Sequence, residues 1–203
     1  MALPNLPDYS DKDVRHDFFV ARMRELPNKL TIARICAVPI LLIAYPIDWP
    51  LINASCALLF GAAAITDFLD GYLARKYKSV TKLGILLDPV ADKILTGAAL
   101  ILVAYAHATP IWVAGALLCR EMAVNGLRLV AMEQNIQIKV SGLGKLKTIA
   151  LDIALFCLLF RRDWFGVPFL HVGMISIYAA LAISYFSAWQ YCREFMDTRK
   201  DSL

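Results

Sequence analysis

Four aspartates lie inside apolar stretches of this chain at helical spacing. Asp67 and Asp70 are three residues apart, and Asp88 and Asp92 are four apart. In helices, each pair presents two carboxylates on one face. A carboxylate at membrane depth costs about 2.5–3.5 kcal/mol on insertion scales, so the four require compensation on the order of 10 kcal/mol. Any fold open to this chain must gather these groups where positive charge can reach them. A cluster of divalent cations is the most economical source of that charge.

Composition sets the surroundings. The 203 residues are 59% hydrophobic and 19% charged, with a mean hydropathy of +0.57, well away from soluble averages. Several apolar runs reach bilayer-spanning length. These features predict an all-α, polytopic membrane helix bundle with no separate soluble domain. The first 26 residues are polar and have no short apolar core before a small-residue cleavage site, so no cleaved signal peptide is expected. Cys36, Cys56, Cys119, Cys157 and Cys192 form no Cys-x-x-Cys pair and read as packed thiols rather than a disulfide frame or zinc site. The net charge of +4 is too modest to indicate nucleic-acid binding.

The organisation follows from punctuation and charge. Residues 1–26 form a cytoplasmic or interfacial segment, in which Phe19, Met23 and Leu26 recur at helical spacing over 12–26. Residues 27–195 hold six spans, at about 28–45, 51–77, 82–105, 111–131, 145–160 and 169–191, with Ser141 to Gly144 as a flexible lead-in to the fifth. Residues 196–203 form a cytoplasmic tail. Lysine and arginine crowd the N-terminal segment, the 75–82 link, the 120–147 region and the tail, and are missing from the turns at 46–50 and 107–110. The positive-inside rule then puts both termini in the cytoplasm. Arg161 and Arg162 fall on the outer side and are expected to snorkel to headgroups.

The short link between the second and third spans makes them antiparallel. At 1.5 Å per residue, Asp70 and Asp67 lie about 7 and 12 Å in from Arg75, and Asp88 and Asp92 about 9 and 15 Å in from Lys82. The pairs are level, below the headgroups but within reach of cytoplasmic water. Oxygen-only donors favour a hard ion, Mg²⁺ or Mn²⁺. Two such ions would neutralise the four aspartates and could hold a diphosphate. Gly71 and Gly84 mark places where a ligand or a second helix comes close to the backbone, and Arg75 is placed to meet a phosphate. Asn28, Thr31 and Arg34 share a helical face; Arg34, inside an apolar span, needs an anion, from the metal site or a substrate. His16, His107 and His171 are dispersed, and no catalysis is expected of them.

Asp67, Asp70, Gly71, Ala74, Arg75, Gly84, Asp88 and Asp92 fill the pattern Asp-x2-Asp-Gly-x2-Ala-Arg-x8-Gly-x3-Asp-x3-Asp without departure. In this the chain resembles the CDP-alcohol phosphotransferase family. The stretches Leu26 to Arg34, Leu87 to Lys93, Arg120-Glu121 and Gly144 to Thr148 extend the likeness to the subgroup whose acceptor is sn-glycerol 3-phosphate. The resemblance implies a six-span homodimer in the cytoplasmic membrane of a prokaryote, using two divalent ions. It also implies transfer of a phosphatidyl group from CDP-diacylglycerol to glycerol 3-phosphate, with release of CMP. By the same carry-over Asp67, Asp70 and Asp88 are metal ligands, and Asp92 is both metal-linked and the general base. Gly71, Arg75, Thr81 and Gly84 would contact the cytidine diphosphate part.

The acceptor phosphate needs its own site, for which the 120–147 region offers Arg120, Arg128, Lys139, Lys145 and Lys147. Arg120 and Arg128 fall within about 80° of each other on one helix, whereas Lys145 and Lys147 diverge by about 160°. Only one of the latter pair is expected to face the cavity if the helix has already begun there. Glu121 is an alternative partner for Arg120. Another acceptor, such as inositol phosphate or serine, would use the same chemistry; the basic region favours a phosphorylated one. A divalent-cation carrier is the competing class, disfavoured because the aspartates cluster at one depth, and an inactive scaffold is disfavoured by the intact pattern.

Overall fold

The computed structural model describes residues 31–77, 82–134, 142–164 and 166–200, and of these the backbone alone for 67–77, 82–89, 199 and 200. The N-terminal segment before residue 31 therefore lies outside the described residues. Within them the chain is helical: α1 (residues 31–44), α2 (Pro50–Tyr77), α3 (Lys82–Tyr105), α4 (Ile111–Glu133), α5 (Gly142–Phe160) and α6 (Phe169–Lys200). A single 3₁₀ turn, Tyr45–Ile47, follows α1.

Each helix buries a stripe set by the 3.6-residue period. On α1 the stripe is Thr31, Arg34, Ala37, Val38 and Leu41, continued by Tyr45. On α2 it is Asn53, Cys56, Ala57 and Phe60. α5 is central, packing on α2, α3 and α6, while α4 packs on α3 and α6. From Ala154 to Phe160 it is buried almost all round. A continuous apolar core, including Leu100, Val103, Val113, Leu117, Leu155 and Leu158, fills the end of the bundle where α3 and α5 finish and α4 and α6 begin.

The turns at that end share one device. Asp48, His107 and Arg161 all have left-handed backbone, with φ of 54°, 56° and 60°. Such a residue turns the chain out of a helix and lets N–H groups reach back to the last carbonyls. The Arg161 N–H donates to the Leu158 carbonyl (3.1 Å) and the Ala108 N–H to the Val103 carbonyl (2.9 Å). For non-glycine residues the conformation costs about 1–2 kcal/mol. Two of the three turns also brace each other: the Arg161 guanidinium lies 2.5 Å from the Asp48 carboxylate, which also accepts a hydrogen bond from the Asn53 amide. Arg161 therefore has a protein partner rather than only headgroups, which corrects the snorkelling expectation for that residue.

Other expectations are adjusted. The lead-in at Gly142 to Gly144 is already the first turn of α5, where glycine is tolerated, and the charged tail continues α6 as far as Lys200. Of the five cysteines only Cys56 and Cys157 are buried; Cys36, Cys119 and Cys192 are exposed. The latter three sit on outward helix faces, so they are not packed thiols.

Those outward faces are apolar. Ile43, Ile111 and Ile175 are each more than 70% exposed, and Trp112, Met122 and Leu129 more than 60%. A soluble monomer rarely exposes apolar surface on this scale; lipid contact accounts for it. Phe169–Thr198 is long and apolar enough to cross a membrane, and Thr31–Ile47 and Pro50–Thr66 are shorter apolar helices. The protein is membrane-associated and all-helical in its described residues.

The α5–α6 contact depends on glycine. A Cβ on Gly173 would lie 2.7 Å from Leu158 Cγ and 3.1 Å from the Leu158 backbone nitrogen. Gly173→Ala should therefore lower stability by about 1–3 kcal/mol. At Gly115 an added Cβ meets nothing within 4 Å, so Gly115→Ala should be neutral or stabilising by up to about 1 kcal/mol. Thermal unfolding of both variants in detergent checks the contrast.

Candidate functional site

Opposite the apolar plug, the bundle opens into a cavity of about 560 Å³ reached by all six helices. α1 contributes Arg34, α2 Ala64, α3 Asp92 and Lys93, α4 Arg120, Glu121 and Arg128, α5 Lys145, Lys147 and Asp152, and α6 Ser187 and Glu194. Six cations thus face four carboxylates across the described wall. Burial sharpens this imbalance, since Arg34, Arg120 and Lys147 are all less than a tenth exposed.

Two buried cations, Arg120 and Lys147, and the half-buried Lys93 meet at Glu121. Its Oε2 accepts from Lys93 Nζ at 2.8 Å, and its Oε1 accepts from Arg120 Nη1 at 2.9 Å and from Lys147 Nζ. One carboxylate therefore ties α3, α4 and α5 together. Arg120 Nε reaches α6 by donating to the Ser184 carbonyl at 2.8 Å. Lys93 Nζ also lies 3.4 Å from Asp92 Oδ2, so it stands between Asp92 and the Glu121 cluster. With Asp92 counted, three cations face two carboxylates here, and the described wall as a whole carries two more cations than carboxylates, which suits a phosphate anion.

The proposed site residues distribute as follows. Asp67, Asp70, Gly71 and Arg75 fall within α2, and Gly84, Asp88 and Asp92 within α3. The helical registers needed for paired carboxylates are thus in place along the backbone. The side chains of Asp67, Asp70, Arg75 and Asp88 lie outside the described residues, as do Asn28, Thr81 and Lys139. Asp92 faces the cavity, and so do Arg120, Arg128, Lys145 and Lys147. That both lysines line the wall corrects the expectation that only one could: the cavity is wide, and lysine's four-carbon stem carries its ammonium well away from its Cα direction. Thr31 is fully buried beside the site on α1, one turn before Arg34.

Among the described residues, no three His, Cys, Asp or Glu side chains lie close enough to share an ion. Glu121 is occupied by its three cations, which leaves Asp92 as the carboxylate of the aspartate pattern whose oxygens face the cavity and suit a hard cation. The cavity's described lining contains carboxylate, hydroxyl and amide oxygens but no histidine or cysteine.

Sequence reasoning passed over Lys93, Asn125, Asp152 and Glu194 as site residues. The signal for Lys93 and Asp152 was available, because an ionisable residue inside an apolar span is by default functional or paired. Asn125 and Glu194 carried no comparable signal.

An apolar bundle around a net-positive, oxygen-lined cavity defines a membrane enzyme that handles phosphate-bearing substrates. Residues 24–186 match the family model for CDP-alcohol phosphatidyltransferase, and the chain belongs to that family; it is a phosphatidyltransferase. Its relatives include proteins named CDP-diacylglycerol–glycerol-3-phosphate 3-phosphatidyltransferase. That of Bacillus subtilis (strain 168) is 36% identical over 192 residues, covering 89% of this chain and 100% of the relative. That of Pectobacterium atrosepticum is 38% identical over 172 residues, covering 82% and 92%. That of Rickettsia bellii is 37% identical over 174 residues, covering 84% and 96%.

Arg120→Met should destabilise the bundle by about 1–3 kcal/mol, because it leaves the Ser184 carbonyl without that donor and removes one of three donors to Glu121. Arg128 is exposed at the cavity wall, and Arg128→Met should stay within about 0.5 kcal/mol of the parent. Thermal midpoints in one detergent separate the two.

Proposed function

We propose that the protein transfers the phosphatidyl group of CDP-diacylglycerol to sn-glycerol 3-phosphate, giving phosphatidylglycerophosphate and CMP. The observation that carries this reading is one cavity in which Asp92 stands beside a cluster of three cations, Lys93 and the buried Arg120 and Lys147, gathered around Glu121. A base and an anion site side by side suit an acceptor that has both a hydroxyl and a phosphate. Family membership and the names of the relatives point the same way.

The family is generally divalent-metal dependent. Asp67, Asp70, Asp88 and Asp92 would hold two Mg²⁺ or Mn²⁺ ions, which would supply charge neutralisation for the diphosphate. Gly71, Arg75, Thr81 and Gly84 would receive the cytidine diphosphate part. Arg120, Arg128, Lys139, Lys145 and Lys147 would bind the acceptor phosphate, with Asn28, Thr31 and Arg34 supporting the wall between the two substrates. Asp92 takes the proton of the acceptor hydroxyl. The freed oxygen attacks the lipid-bearing phosphorus, and the bond from that phosphorus to the CMP oxygen breaks, with attacking and leaving oxygens in line. Positioning and charge, not a covalent intermediate, lower the barrier.

The same reading takes residues 27–195 as a six-span domain, with residues 1–26 at the interface and 196–203 as a tail. Both termini are cytoplasmic, and the protein is a homodimer in the cytoplasmic membrane of a prokaryote. The bacterial origin of the relatives supports the last point, and the turns at 46–50 and 107–110, which carry no lysine or arginine, support the orientation.

Purified protein in detergent, given CDP-diacylglycerol, glycerol 3-phosphate and Mg²⁺ or Mn²⁺, should release CMP and form phosphatidylglycerophosphate. Inositol phosphate and serine should give far less, and no CMP with any acceptor would overturn the reading. Chelation should stop turnover and either ion should restore it. Asp92→Asn should reduce kcat at least about 100-fold while CDP-diacylglycerol still binds, as followed by equilibrium binding.

A further inference from the structure

Glu121 sits at the centre of the cavity's charge yet has no oxygen left over for chemistry. Oε1 accepts from both Arg120 and Lys147, and Oε2 accepts from Lys93. A carboxylate so occupied is a poor base and a poor metal ligand. It does keep three cations, which would otherwise repel one another, within one site. Each has N–H groups beyond those it spends here, since an ammonium has three and a guanidinium five. Arg120 uses one on Glu121 and one on the Ser184 carbonyl. All three cations line the cavity, so their remaining donors are available to an anion there.

A purely structural pairing needs one cation per carboxylate, but the described cavity wall carries six cations against four carboxylates, and uncompensated positive charge destabilises the empty site. The excess equals the charge of a phosphomonoester dianion. Through Lys93, which contacts both Glu121 and Asp92, the cluster is also tied to the residue placed at the acceptor hydroxyl.

We infer that Glu121 is the positioning residue of the acceptor phosphate subsite. It touches no substrate, but it holds Lys93, Arg120 and Lys147 in the spacing that selects a phosphomonoester acceptor over an uncharged polyol. This rests on the reading of the cavity as the phosphatidyl-acceptor site. Neutralising Glu121 would let the three cations spread and would loosen the anion site without touching the nucleotide side.

The test is steady-state CMP release by the full-length protein in detergent, with glycerol 3-phosphate or glycerol varied at saturating CDP-diacylglycerol. For Glu121→Gln the KM for glycerol 3-phosphate should rise at least tenfold. Preference for glycerol 3-phosphate over glycerol should fall by a similar factor, and the KM for CDP-diacylglycerol should stay within twofold. Glu121→Asp, which keeps the charge, should recover part of the loss. If the parent protein turns over glycerol 3-phosphate but Glu121→Gln keeps its acceptor KM within twofold, or loses only kcat, the inference is overturned while the proposed function stands. A parent protein silent with glycerol 3-phosphate overturns both. Should Glu121→Gln fail to fold, Glu121→Gln/Lys147→Gln keeps the parent's local charge and should fold. Its acceptor KM should exceed that of Lys147→Gln alone by at least threefold, because in the single variant Glu121 still holds Lys93 and Arg120; a double variant whose acceptor KM equals that of the single would overturn the inference.

Discussion

A charge inside an apolar bundle must be answered by another charge, and in this protein much of that answer is one carboxylate. Glu121 accepts from Lys93, Arg120 and Lys147, which belong to α3, α4 and α5. A shared anion lets these three helices bring their cations to one point, where they would otherwise repel one another. The remainder of the bundle is arranged around this point. Its far half, from the middle of the helices to the turns at Asp48, His107 and Arg161, is packed with Leu, Val, Ala and Phe. The buried charges of the bundle interior lie in the other half, around the cavity, and the charges at the plugged end, such as Asp48 and Arg161, belong to its turns. The plug gives the site a rigid base, and the base fixes how deep an anion can enter.

The plug also depends on a few exact contacts. Leu158 of α5 fills the space that Gly173 of α6 leaves, and Phe160 stacks on Phe169 across the connecting turn, with ring centroids 4.5 Å apart. This close approach sets the relation between α5, which carries Lys147, and α6, whose Ser184 carbonyl holds Arg120. Packing eleven or more residues away along the helices therefore bears on the distance between two of the cations at Glu121. Interiors of near-crystalline density transmit such strain rather than absorb it.

Much of this architecture could be read from the chain. The apolar runs and the Pro- and Gly-bearing breaks located the helices, and the aspartates stood out because a carboxylate in an apolar run is anomalous. Periodicity, however, reports which face of a helix is buried and not which side chain across the bundle it meets. Glu121 finds Lys93 and Lys147 at separations of 28 and 26 residues, and no local pattern encodes that choice. The Asp48–Arg161 pair is hidden for the same reason: two turns more than a hundred residues apart in sequence come together only once α1, α2, α5 and α6 are packed. Lys145 and Lys147 mislead in the opposite direction, because an angle between Cα directions says little about where two long ammonium stems end.

Asp92 and Lys93 show how little sequence is needed to join two subsites. Successive residues on a helix point about 100° apart, so neighbours can flank the same cavity without facing the same way. Asp92 belongs to the aspartate pattern shared by α2 and α3, and Lys93 belongs to the cation cluster on Glu121. The 3.4 Å contact between them makes the boundary between the two subsites a single peptide unit of α3. A helix is stiff over that length, so the distance from the carboxylate that would take the acceptor's proton to the cations that would hold its phosphate cannot drift as the loops move. An acceptor whose hydroxyl and phosphate are separated by a short carbon chain meets a ruler of matching kind, built from two adjacent side chains and held at its far end by Glu121.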